Sequence, residues 1–84
     1  MVPVTLLGKP GCHLCDDART AVLRVLEEFP ADAVEFEERS ILDDPGLLER
    51  YADDIPVVLV AGRVHTYWRV DPERLRRTVD DALR

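Results

Sequence analysis

Cysteine is scarce in this chain: there are two, Cys12 and Cys15, with only two residues between them. That is too few, and too local, for the disulfide scaffold of a small secreted domain. A bridge across so short a loop removes little entropy from the unfolded chain, so any pairing would serve chemistry rather than stapling. No apolar run approaches the ~20 residues that a membrane-spanning helix needs. The N-terminus shows no basic segment running into an apolar stretch and a small-residue cleavage site, so no secretory signal is expected and a cytoplasmic location is. Positive charge is also sparse and scattered. Eleven Lys and Arg stand against 17 Asp and Glu, giving a net charge of −6. Nucleic acid and membrane surfaces, which need clustered cations, are excluded as expected partners. Repeats, low-complexity segments and linkers are absent, so the 84 residues read as one domain, 1–84, expected to be monomeric.

What is present has a clear order. Val2 to Leu7 is an apolar run of strand type, closed by the turn residues Gly8-Lys9-Pro10-Gly11. From Leu14 the spacing becomes helical, through Ala18, Val22, Val25, Leu26 and Phe29, until Pro30. Val34 and Phe36 alternate with Glu35 and Glu37, as on an edge strand with one wet face. Asp44 and Pro45 start a short helix with Leu47, Leu48 and Tyr51 on its buried side. Pro56 opens Val57-Val58-Leu59-Val60, a strand covered on both faces. After the Ala61-Gly62-Arg63 turn, Val64 to Val70 reads as its hairpin partner, with Val64, Thr66 and Trp68 on one face and His65, Tyr67 and Arg69 on the other. Asp71-Pro72-Glu73 starts a last helix with a Leu75, Val79, Ala82, Leu83 stripe. The expected fold is α/β, in the order β-α-β-α-β-β-α: a four-stranded mixed sheet with helices on both faces.

The chemistry concentrates at Cys12-His13-Leu14-Cys15, where strand, turn and helix start meet. A cysteine at a helix N-terminus faces unpaired N–H groups and the positive dipole end, which favour thiolate over thiol. Cys12 is therefore the expected nucleophile. Cys15, one turn later on the same side of the helix and more sheltered, is placed to resolve a mixed disulfide. Lys9 and His13 add positive charge nearby, and Asp16 and Asp17 oppose it. Two other readings of the pair stand beside this one: a buried couple of small hydrophobes, or part of a zinc site with His13 or His65. A second close pair of ligands, which zinc would require, is missing. The aspartate pairs read as solvated helix ends and faces, so no metal site is expected.

Lys9-x-x-Cys12-x-x-Cys15 between strand and helix, followed by Ile55-Pro56-Val57 before a hairpin and a final helix, resembles the glutaredoxin branch of the thioredoxin superfamily. The resemblance spans nearly the whole chain. It implies a thioredoxin-like, glutaredoxin-type fold and a thiol–disulfide oxidoreductase. It also implies a cis peptide bond at Pro56 beside the active-site sulfurs, and an Ile55 backbone that pairs with a bound substrate chain. Lys9 then helps to hold a glutathione carboxylate, and His13 and Leu14 line the substrate site. Partners of this kind are a disulfide-containing protein or small thiol, with glutathione, another low-molecular-weight thiol or a reductase as electron donor; no resident cofactor is implied. The chain departs from the family in two places. Typical glutaredoxins have Pro-Tyr where His13-Leu14 stands, and a Gly-Gly pair near Thr66-Tyr67-Trp68, where this chain has none. The bulky residues there could close half of a glutathione site. A non-catalytic binding module holding a partner at Tyr67-Trp68, and a metal carrier using the cysteines, are the rival readings.

Overall fold

A computed structural model describes residues 1–84. The first strand, β1 (Val2–Gly8), is central. It pairs in parallel with β2 (Val34–Ser40) and antiparallel with β3 (Val57–Val60), which carries β4 (Arg63–Tyr67) on its outer side. The strand order β2-β1-β3-β4 leaves β2 at an edge, as its alternating charges imply. Three helices complete the expected order: α1 (His13–Leu26), α2 (Pro45–Tyr51) and α3 (Pro72–Ala82). A single 3₁₀ turn, Ile41–Asp43, precedes α2 and has no counterpart in the sequence reading.

The sheet separates two apolar clusters. On one face Val2, Val4 and Leu6 of β1, with Val58 and Val60, pack against Ala18, Val22, Val25 and Leu26 of α1 and Leu75 and Val79 of α3. On the other, Leu7 and Val57 meet Ile41 and Tyr51, with Leu47, Ile55 and Leu59 at the margin. β1 is apolar nearly throughout because both of its faces are covered.

The helix starts follow local chemistry. Asp44 accepts the N–H groups of Gly46 and Leu47, Asp71 accepts those of Glu73 and Arg74, and proline follows each cap. The β3–β4 hairpin turns through Ala61 and Gly62, both at positive φ (52° and 80°), as a tight two-residue turn requires.

Some expected faces are corrected. Leu14 and Leu48 fit the helical spacing, yet both are exposed, and so are Ala82 and Leu83 at the end of the α3 stripe. Leu14, Ala82 and Leu83 stand at or beside the ends of their helices. The strict alternation expected along Val64 to Val70 also fails. Thr66 pairs with Val58 and Val64 with Leu59, so His65 is an extra residue without a partner on β3. This bulge breaks the two-residue period. His65 is buried while Val64 is exposed, and the strand stops at Tyr67 rather than Val70. Burial pushes the imidazole of His65 below its ordinary value, Arg74 adds to this and Asp71 opposes it.

Candidate functional site

Sheet register decides what meets what. Leu7 lies opposite Val57, and Val57 opposite Tyr67. One step further, Gly8, Pro56 and Trp68 therefore emerge at the same end of three adjacent strands. Cys12, directly before α1, stands four residues after Gly8, which brings the cysteines to that end too.

Cys12 is the N-cap of α1. Its backbone is extended (φ −96°, ψ 113°), and its sulfur accepts the Cys15 N–H at 3.2 Å. The helix thus directs an otherwise unpaired N–H group at the sulfur where negative charge would develop. The two thiols differ in surroundings. Cys12 is partly accessible, whereas Cys15 is 1% exposed. Burial pushes the Cys15 thiol up to about 11; its hydrogen bond to Cys12 and the nearby negative charges of Cys12 and Asp16 push the same way, and the Lys9 backbone opposes them. The accessible sulfur is thus the one held by helix N–H, and the buried one keeps its proton.

This asymmetry has a measurable consequence. The unfolded chain releases the Cys15 proton near the ordinary value of 9.0, and the folded chain only near 11. Between those values the native state holds a proton that the unfolded state has lost. Stability should therefore decline as pH rises from about 9 toward 11. Urea midpoints at pH 8.5 and 10.5 check this. Cys15→Ala should show a smaller drop than the parent; an equal drop would place its cause elsewhere.

Gly8 is a site residue that the sequence reading treated only as part of a turn. A Cβ at Gly8 would lie 2.9 Å from the Cys15 sulfur and 3.1 Å from its Cβ. The bare backbone at the end of β1 is what lets Cys15 pack there. A glycine directly after a strand, four residues before a cysteine, is the signal that could have pointed to it.

Lys9 is exposed and lines a polar hollow of about 320 Å³ with Gly8, Pro10, Asp16, Arg19, Glu38, Arg39 and Ser40. Arg19 is already engaged there. It binds Glu38, through Nε–H to Oε1 at 2.7 Å, and Asp16 at 3.0 Å. Its hydrogen bonds hold the Glu38 carboxyl below the usual range. Arg39 is paired with Glu37 at 2.6 Å. Lys9 is the one cation of the hollow outside every ion pair.

His13 opens α1 and is exposed, and its side chain makes no hydrogen bond within the chain. Leu14, 49% exposed, lies in a second cleft of about 350 Å³, with Asp17, Ala18, Ala21, Trp68, Arg69 and Val70. Pro56 is buried and its bond to Ile55 is cis. The Pro56 carbonyl accepts the Trp68 N–H at 2.7 Å, and the Asp53 carbonyl accepts the Trp68 indole Nε1–H at 3.3 Å. Trp68 thus joins the Pro56 loop to the cleft beside α1, a role that no spacing rule could reveal. No cluster of three or more His, Cys, Asp or Glu side chains is arranged to hold a metal ion. No helix is long and apolar enough to cross a membrane.

Residues 3–80 match the family model described as Glutaredoxin-like domain (DUF836). The chain belongs to this glutaredoxin-like family. An uncharacterized protein of Mycobacterium tuberculosis is 33% identical over 78 residues, covering 90% of this chain and 80% of that protein. A Dictyostelium discoideum protein named as glutaredoxin-like is 24% identical over 86 residues, covering 99% of this chain and 80% of its own. Among solved structures, a protein from X. campestris superposes with a TM-score of 0.72 at 33% identity, over 93% of this chain and 96% of its own. Mitochondrial thioredoxin 3 from Saccharomyces cerevisiae, in its oxidized form, superposes with a TM-score of 0.67 at 14% identity, over 95% of this chain and 77% of its own. That last likeness concerns the fold, which is thioredoxin-like. This glutaredoxin-like chain has its cysteine pair at the start of its first helix, in the place where the fold brings three strand ends together.

Proposed function

We propose that the protein is a dithiol oxidoreductase in which Cys12 attacks and Cys15 resolves. The observation that carries this reading is the helix cap. The accessible Cys12 sulfur receives a helix N–H, while the buried Cys15 sulfur is held as a thiol one turn below.

In the first step the Cys12 thiolate attacks one sulfur of a substrate disulfide. The substrate S–S bond breaks, a Cys12–substrate disulfide forms, and the other substrate sulfur leaves as a thiolate. In the second step Cys15 loses its proton to the departing sulfur and attacks Cys12. A Cys12–Cys15 disulfide forms and the substrate leaves with two electrons and two protons gained. Cys15 is easier to ionise at that moment than in the resting dithiol. Two of the influences that raise it, the hydrogen bond to Cys12 and the Cys12 charge, end when Cys12 enters the mixed disulfide. A low-molecular-weight thiol such as glutathione, or a reductase, then returns the protein to the dithiol. Lys9 attracts an anionic part of the substrate, His13 and Leu14 border it, and the main chain of Ile55 pairs with it; Pro56 holds that segment in place.

Equilibration across a series of reduced and oxidised glutathione ratios tests the reading, with thiols counted by alkylation and mass. A single two-electron transition between Cys12 and Cys15 is expected, within the roughly −120 to −270 mV spanned by known exchange proteins. Two thiols that remain reduced at every ratio would sink it and favour a binding module.

A further inference from the structure

Trp68 sits where the chain has least reason to place a large residue. Its φ is +63°, a region that costs most side chains energy. The Arg69 N–H reaches back to the Tyr67 carbonyl at 2.7 Å, so Trp68 is the centre of a three-residue turn in its strained, positive-φ form. Burial does not offset that cost fully, because the residue is 55% exposed. The turn is nevertheless fastened on every side. Besides the bonds to Pro56 and Asp53, the Thr66 hydroxyl donates to the Arg69 carbonyl at 3.0 Å. Strain held this firmly at an exposed aromatic residue points to a function for the ring.

The ring forms one wall of the cleft whose other apolar walls are Leu14, Ala18, Ala21 and Val70. Leu14 lies between Cys12 and Cys15 in the chain, so the cleft begins on the helix turn that carries the sulfurs. Directly before Pro56, neither the N–H nor the C=O of Ile55 has a hydrogen-bond partner within the chain. A free donor and a free acceptor on one residue, at a position before proline where the extended region is favoured, suit the main chain of another extended polypeptide. The cleft itself carries one charge of each sign, Asp17 and Arg69.

Resting on the dithiol reading above, we propose that Trp68 selects polypeptide disulfides. The substrate presents an extended segment whose large apolar side chain beside the reacting cysteine enters the Leu14–Trp68 cleft. Oxidised glutathione is a poor fit. It has no apolar side chain for the cleft.

Three probes separate the possibilities: a disulfide-linked peptide of net charge +1 with Leu next to its cysteine, the same peptide with Ser in that place, and oxidised glutathione. The reduced protein should act on the Leu peptide with kcat/KM about tenfold above the other two, a ratio of the size that apolar pockets provide. Trp68→Ala and Leu14→Ser should each collapse the preference of Leu over Ser, mainly by raising KM; Leu14→Ser leaves the strained turn untouched. Trp68 is the only tryptophan, so its emission supplies a readout independent of turnover. In Cys15→Ser protein trapped as a mixed disulfide, the Leu peptide should shift that emission to the blue, and glutathione should not. Equal kcat/KM on all three probes, with no emission change, would overturn the selectivity while leaving dithiol exchange standing. Failure to reduce any of the three would instead overturn the dithiol reading itself.

Discussion

Replacing Cys12 by Ser should abolish disulfide reduction, a loss of about 10³-fold or more, as expected when a covalent nucleophile is removed. The fold should survive. The Cys12 sulfur caps α1 by accepting the Cys15 N–H, and a serine hydroxyl is among the preferred acceptors at that position. The thermal midpoint of Cys12→Ser should therefore stay close to that of the parent while turnover disappears. Cys15→Ser should behave differently. The first attack still proceeds, but nothing resolves it, so a mixed disulfide accumulates on Cys12. Mass spectrometry after exposure to a substrate disulfide would show one added substrate half on Cys15→Ser and none on Cys12→Ser. Full turnover by Cys12→Ser would remove the assignment. Adducts on Cys15 rather than Cys12 would reverse the two roles.

Leu6→Ala should be the most damaging change to the fold. Leu6 lies in the central strand, is fully buried, and belongs to the cluster joining β1 to α1 and α3. Cutting a buried Leu to Ala costs about 2–5 kcal/mol through lost burial and the cavity that remains. A chain of 84 residues has a total stability of roughly 4–13 kcal/mol at the usual value per residue. The substitution therefore consumes much of what holds the domain together, and a large part of the population should be unfolded at elevated temperature. Leu48→Ala is the contrast. Leu48 is exposed, and a change there should stay within about 0.5 kcal/mol. Urea unfolding of both variants beside the parent checks the pair. Similar midpoints for Leu6→Ala and the parent would contradict the core described above.

The fold was legible because each element carries its own signals. The six-residue apolar run before Gly8, the Asp44-Pro45 and Asp71-Pro72 caps, and the Ala61-Gly62 turn all act over a few residues, and the structure has each where the spacing puts it. The family resemblance, which rests on the cysteine spacing and Pro56, agrees with the family match over residues 3–80. Errors arose where a local period had to be converted into burial. Leu14 and Leu48 obey the helical spacing, but spacing defines a stripe and not its edges. His65 was assigned a face by alternation, and an unpaired bulge residue shifts that alternation by one.

The sequence by itself thus determined the element order, the helix start at which the cysteines stand, and which two sulfurs are available for chemistry. These follow from interactions between residues close in the chain. Only the tertiary structure decided how deeply Cys15 is buried and what surrounds the pair. Cys15 is buried because Gly8, at the end of another element, has no side chain to exclude it. Trp68 reaches the dithiol end because Leu7 pairs with Val57 and Val57 with Tyr67, and because carbonyls of Asp53 and Pro56 hold it there. Such contacts join residues far apart in sequence, so no local pattern encodes them; they exist once the sheet has closed and the strand ends lie side by side.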